Sequence, residues 1–235
     1  MPADQLPVLV FDVNETLSDL TPLRGRFEEV GAPGHLLPTW FAGVLRDGFA
    51  LTAAGAYADF ADVARDGLQA ALSGLDGWAG DSDAAARHIL DGLADLDVHP
   101  DVPGGVGKLS DEGYRLTTMT NGSVALTERL LDKAGVLNRF ECLSDVSGPR
   151  CWKPAAAAYY YAVERAGVRP DQVLMIAVHP WDIDGAQRAG LEGAWLRRGA
   201  SAYPQTMTPP RHVARDLQEL ADVLASDRRT AAPTK

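Results

Sequence analysis

The chain is 235 residues long, enough for one large domain or two small ones and for a substantial core without disulfide or metal staples. Hydrophobic residues make up 46% of it and charged residues 23%, a balance that excludes wholesale disorder. The net charge of -10 argues against a nucleic-acid partner, whose phosphates call for a basic face.

The first element is a short apolar run over residues 7–11 that ends abruptly at Asp12. A continuous run without alternation predicts a strand buried on both faces, as in a parallel sheet. From residue 20 to 97 the pattern changes. Trp40, Phe41, Val44 and Leu45, then Phe60, Val63, Gly67, Leu68 and Leu72, recur at helical spacing with no strand-like run between them. This predicts a helical insertion placed directly after the first strand. The Pro/Gly-rich stretch 99–104 predicts its boundary. Strand-like runs return at 114–120, 140–143, 173–178 and 194–196, with helical patterns over 124–134 and over 154–166, the latter closing on Gly167. Strands alternating with helices predict an α/β fold whose parallel sheet is covered on both faces. The polar residues 226–235 are expected to form a flexible tail.

In an open sheet of this kind, ligands bind outside the carboxyl ends of the strands. Asp12, Thr120-Asn121-Gly122-Ser123 and His179-Pro180-Trp181-Asp182 fall there, and Lys153 follows the third strand in Cys151-Trp152-Lys153-Pro154. One rim thus receives a carboxylate, a hydroxyl with an amide, an ammonium and a second carboxylate. Lys153 is one of four lysines in a chain that prefers arginine, and the two cations are not interchangeable. Asp182 has a second reading as the N-cap of a helix beginning near Gly185, with Asp184 supporting the helix dipole. His35, His88, His99 and His212 show no ligand spacing and read as surface or boundary residues. Cys151 reads as a structural thiol.

The order and spacing of these motifs, with a helical insertion after the first, resemble the haloacid dehalogenase superfamily. Within it, Asn-Gly-Ser in the second motif and Trp-Asp in the fourth are similar to the type II (L-)2-haloacid dehalogenases. The resemblance runs from Phe11-Asp12-Val13-Asn14-Glu15-Thr16-Leu17 to Trp181-Asp182-Ile183-Asp184-Gly185-Ala186. It implies a Rossmann-like, doubly wound core over residues 1–18 and 99–225, carrying a helical cap over 19–98. It also implies hydrolysis through a covalent ester. In that scheme Asp12 is the nucleophile, Lys153 keeps it ionised, and Asp182 positions Lys153 and orders water. Thr120 and Asn121 grip the substrate's anionic group, and the backbone amides of Val13 and Asn14 stabilise the oxyanion. Trp40, Phe41 and Trp181 line the substrate pocket.

Departures from the family pattern sharpen these expectations. Phosphatases of the superfamily place an acid where this chain has Asn14, and magnesium-dependent members place a metal-binding acid where it has Val178. Two remaining carboxylates are a poor oxygen set for magnesium, so metal-independent chemistry without a cofactor is expected. Type II dehalogenases carry an arginine where Phe41 stands and a tyrosine where Asn14 stands. Arg46, on the far side of the same helix from Phe41, is a poor substitute, with Arg24 and Arg26 the other cap candidates. Asn14 and Asn121 are then expected to line the leaving-group site, and the substrate to be larger than a short 2-haloacid or to carry its leaving group differently. His179 stands where dehalogenases have an asparagine and reads either as a general base or as a hydrogen-bonded spacer. The alternatives are a superfamily member that displaces phosphate or sulfate from an ester, and a partner-binding protein whose chemistry has faded.

The expected partner is a small anionic molecule, with neither nucleic acid nor membrane, and with a homodimer left open. Two cysteines, Cys142 and Cys151, cannot make a disulfide framework and fit a reducing compartment. No run approaches the roughly 20 apolar residues of a membrane span, nor does the start carry a signal-like apolar stretch. A cytoplasmic protein is expected by elimination.

Overall fold

The computed structural model describes residues 6–231. The first apolar run forms β1 (Val8–Phe11), buried throughout. The insertion folds into α1 (Leu23–Glu29), α2 (Leu36–Ala53), α3 (Phe60–Ser73) and α4 (Ser82–Asp91). Their helical spacing turns Phe27, Trp40, Val44, Leu68, Leu72 and Ile89 inward, continuous with the core around the sheet. Asp81 caps α4 by accepting from the backbone N–H groups of Asp83 and Ala84 at 2.9 and 3.0 Å. The chain then returns through α5 (Val102–Asp111) to β2 (Leu116–Thr120). Part of the expected boundary stretch is therefore helix. Pro103 sits in the first turn of α5, where a missing N–H costs nothing.

The remainder alternates as expected: α6 (Val124–Lys133), β3 (Phe140–Asp145), α7 (Ala156–Ala166), β4 (Val173–Ala177), α8 (Pro180–Arg188) and β5 (Glu192–Leu196). Helix α7 ends on Gly167 at φ 68°, a left-handed turn that glycine takes without strain. Two elements differ from the expectation. A sixth strand, β6 (His212–Ala214), extends the sheet, and His212, expected at the surface, is buried beneath it. Helix α9 (Leu217–Ala231) runs through residues 226–231, which were expected to fray. Arg228 holds that end down by pairing with Glu112 and lying over the Tyr114 ring at 5.2 Å. Residues 232–235 of the expected tail lie outside the described residues.

All six strands are parallel in the order β3-β2-β1-β4-β5-β6. The chain leaves β1 for β2 and β3 on one side, then returns to β4 on the other. This is a doubly wound sheet whose switch point lies between β1 and β4. The Asp12 N–H still bonds to the Ile176 carbonyl at 3.0 Å, so the ladder fixes Asp12 at that crevice. Among the described residues no helix is long and apolar enough to cross a membrane.

Candidate active site

Three charged side chains meet beyond the carboxyl ends of the strands. Lys153 Nζ lies 3.0 Å from Asp12 Oδ1 and 2.5 Å from Asp182 Oδ2. The side chains of Lys153 and Asp182 are 0% exposed and that of Asp12 is 4% exposed. Burial alone would strip the Lys153 proton, but Asp12 and Asp182 outweigh it and hold the ammonium above its ordinary range. Burial pushes the Asp182 carboxyl up, against the opposing pull of Lys153. Two carboxylates thus share one buried cation, which makes the pair with Lys153 indispensable to both.

Residues absent from the sequence expectation complete this arrangement. The Thr16 hydroxyl donates to Asp12 Oδ2 at 2.7 Å and accepts from the Val178 N–H at 3.1 Å. The Tyr159 hydroxyl donates to Asp182 Oδ1 at 2.7 Å, next to the backbone oxygen of the same residue at 3.0 Å. Gly185 allows that approach, since a Cβ there would meet the Tyr159 hydroxyl at 2.6 Å. Asp182 is therefore not a helix cap. His179 occupies the N-cap position of α8, and Asp182 lies in its first turn with its side chain turned to Lys153. Asp184 instead pairs with Arg188 at 2.8 Å.

Lys153 is placed by two side chains from elsewhere. Asn121 accepts from the Lys153 N–H at 2.8 Å and donates to its carbonyl at 3.2 Å. Both ends of the Asn121 amide thus engage the Lys153 backbone, a contact that the sequence reading did not include. It is a clamp on the lysine's backbone. The neighbouring Trp152 is enclosed by the helical insertion: its N–H donates to Thr52 Oγ1 at 2.9 Å and its indole N–H to the Ala58 carbonyl at 3.0 Å. Thr120 is buried, its hydroxyl oxygen accepting from the Gly122 N–H at 2.9 Å. Burial pushes the Cys151 thiol up, in keeping with its structural reading.

His179 stands on the opposite side of Asp12. Its Nε2 lies 3.9 Å from Asp12 Oδ2, 3.5 Å from Glu15 Oε2 and 3.3 Å from the Asn14 carbonyl. The ring stacks on Trp181, with centroids 5.1 Å apart and 19° between planes, and Phe41 lies 6.4 Å away. Trp181 in turn meets Phe49 of α2 edge-on at 5.0 Å. Glu15 was not foreseen. It adopts φ 62°, an unusual conformation for a non-glycine residue, while its carbonyl is bonded to His99 Nε2 at 2.9 Å. Burial raises its carboxyl above the ordinary value despite the nearby His179.

Two hollows flank the turn that carries Asp12. The larger, about 320 Å³, is lined by Phe41, Leu37, Glu15, His99, Val178 and His179 among others. A narrow crevice on the other side is lined by Val13, Asn14, Phe60, Leu96, Gly122 and Ser123. Asn14 thus faces the crevice, with its amide packed over Gly122. Trp40 faces neither. It is buried in the helical insertion with its indole N–H bonded to the Ala64 carbonyl at 3.0 Å, which corrects its assignment to the substrate pocket. Arg46 pairs with Asp47 at the surface and Arg26 with Asp95, leaving Arg24 as the cap arginine in the larger hollow.

The donor set does not suit a magnesium ion. Val178 offers no side-chain oxygen, its carbonyl already accepts from the Trp195 indole N–H, and both Asp12 oxygens already bond to Lys153 and Thr16. Among the described residues no group of three or more His, Cys, Asp or Glu side chains is placed to hold a metal.

A parallel sheet with this switch point, a helical insertion after its first strand and an Asp-Lys-Asp cluster at the crevice define a class of hydrolase. A family model for haloacid dehalogenase-like hydrolases matches residues 6–190, and the chain belongs to that family. It is 27% identical over 223 residues to (S)-2-haloacid dehalogenase 1 of Pseudomonas sp. (strain CBS-3), covering 94% of this chain and 97% of that one. It is 28% identical over 233 residues to (S)-2-haloacid dehalogenase 4A of Burkholderia cepacia, covering 97% and 99%. The solved L-2-haloacid dehalogenase of Xanthobacter autotrophicus has the same fold, with a TM-score of 0.85 at 22% identity over 94% of this chain and 99% of that one.

Proposed function

We propose that the protein hydrolyses the carbon–halogen bond of 2-haloacids through a covalent ester on Asp12, without a metal. The observation that carries this is the buried Lys153 ammonium, 3.0 Å from Asp12 and 2.5 Å from Asp182. A carboxylate held ionised by a dry cation is available as a nucleophile. The kinship to (S)-2-haloacid dehalogenases at 27% and 28% identity supports halide as the leaving group.

In the first step an Asp12 oxygen attacks C2 of the substrate, a C–O bond forms, and the C–halogen bond breaks to release halide. The Lys153 charge then rests on Asp182 alone, which keeps the cation in place while Asp12 is esterified. In the second step water attacks Asp12 Cγ. The resulting oxyanion is met by the backbone N–H groups after Asp12. Collapse breaks the bond between Cγ and the substrate-bearing oxygen, freeing a 2-hydroxy acid and restoring the carboxylate.

His179 positions that water, and the proton given up in the attack is released to solvent. Its Nε2 is 3.9 Å from Asp12 Oδ2, a gap that one water bridges, and stacking on Trp181 fixes the ring. The Asn14 carbonyl at 3.3 Å and Glu15 Oε2 at 3.5 Å surround the same nitrogen and keep the Nε2 proton on this side of the ring. The test is a halide-release assay over a panel of 2-chloroacids, followed by His179→Ala. Loss of the second step, seen as accumulation of ester-linked protein by mass spectrometry, is expected. Unchanged turnover in that variant removes His179 from the mechanism, and no halide from any member of the panel removes the function.

A further inference from the structure

The hollow beside His179 extends outward as a cleft between the cap and the loop that follows β5. Its inner part is apolar, with Leu37, Pro38 and Phe41 of α2 facing Val178 and Trp195 of the core. Its outer part carries guanidinium groups from both sides: Arg24 from the cap, Arg197 and Arg198 from the core. Arg198 is engaged, clasping Asp101 at 2.6 and 3.0 Å and donating to the Thr16 carbonyl at 3.1 Å.

Arg24 and Arg197 differ. Among the described residues neither has a carboxylate within ion-pair distance. The two acids in the cleft are turned elsewhere, Asp19 accepting from the Thr21 N–H at 2.8 Å and Glu15 facing His179. A cleft of about 320 Å³ is of the size that holds ligands well beyond three carbons. An unpaired guanidinium at its mouth offers a planar fork that matches a carboxylate.

Resting on the dehalogenase reading above, we infer that the preferred substrate is an elongated 2-halodicarboxylic acid. The halogenated end meets Asp12, the methylene chain runs along Leu37, Pro38 and Phe41, and the far carboxylate is received between Arg24 and Arg197.

The test compares 2-chloroadipate with 2-chlorohexanoate, which differ only in the far carboxylate, by halide release. It also compares binding of the unhalogenated adipate and hexanoate by calorimetry. The wild-type protein is expected to prefer each diacid over its monoacid by about tenfold, the scale of one well-formed charge-assisted contact at a partly open site. Arg24→Gln and, separately, Arg197→Gln are expected to erase most of that ratio. Equal binding of adipate and hexanoate overturns the inference whether or not halide is released. An Arg24-dependent adipate preference without halide release from any chloroacid keeps the cleft and removes the dehalogenase reading instead. Turnover of 2-chlorohexanoate with no preference for the diacids does the reverse.

Discussion

At the residue scale the account turns on how one ammonium is shared. Replacing Asp12 by Asn removes a negative charge from the buried cluster and leaves Lys153 matched one-to-one with Asp182. The fold is therefore expected to survive while turnover falls at least about a thousandfold, as for other lost nucleophiles. A circular dichroism spectrum and a halide-release assay check the two halves together. Tyr159→Phe leaves Asp182 Oδ1 without its 2.7 Å hydrogen bond inside the protein, a loss of about 1–3 kcal/mol in stability that denaturant unfolding can read. Asp12, Lys153 and Asp182 were legible in the sequence because each closes or follows a strand-like run. Tyr159 was not. It lies in a row of three tyrosines, Tyr159, Tyr160 and Tyr161, and only the turn of α7 against α8 decides that Tyr159 faces inward while Tyr160 is 50% exposed. Glu15 was hidden for a different reason, since its role depends on a backbone turn at φ 62° that no residue pattern announces.

At the scale of elements, the helical insertion reaches Lys153 through Trp152. Helix α2 packs Gly48 against that indole so closely that a Cβ would lie 2.2 Å from its ring carbons. Gly48→Ala is therefore expected to lower stability by about 1–3 kcal/mol through overpacking and to reduce kcat as Trp152 shifts Lys153 with it. Unchanged denaturation midpoint and kcat in that variant would detach the cap from the placement of Lys153. The helices of the insertion were legible because their apolar residues recur at helical spacing, and β1 to β5 because each lies in a short strand-like run between helical patterns. Strand β6 was not, since three residues between polar neighbours carry no period at all. The end of α9 escaped for a related reason: its anchors, Glu112 and Tyr114, lie far away in the chain.

At the scale of the whole molecule, the proposal divides the work between a buried cation and the arginines of the cleft. Lys153 serves the chemistry from within, and the arginines of the outer cleft face what enters. The sign of the pH dependence follows from Lys153. Its folded-state value is raised above the ordinary 10.5, so its stabilising charge is complete below 10.5 and lost as the pH climbs through the higher folded value. The alkaline limb of activity assigned to Lys153 is accordingly expected above 10.5, and a limb well below it would contradict the shared-cation geometry. With no suitable set of oxygen donors around Asp12, activity is expected to persist in a chelator, and a loss reversed by added magnesium would overturn the metal-free route.

The most direct test of the central claim follows the oxygen. Excess enzyme is given a single turnover of 2-chlorohexanoate in water enriched in oxygen-18, and both the 2-hydroxy acid and the peptide containing Asp12 are weighed. In the ester route the product takes its new oxygen from the Asp12 carboxylate, so the first-turnover product is unlabelled and the label appears in Asp12. A labelled product and an unlabelled Asp12 would mean that water attacks the substrate directly, and the covalent account would be wrong.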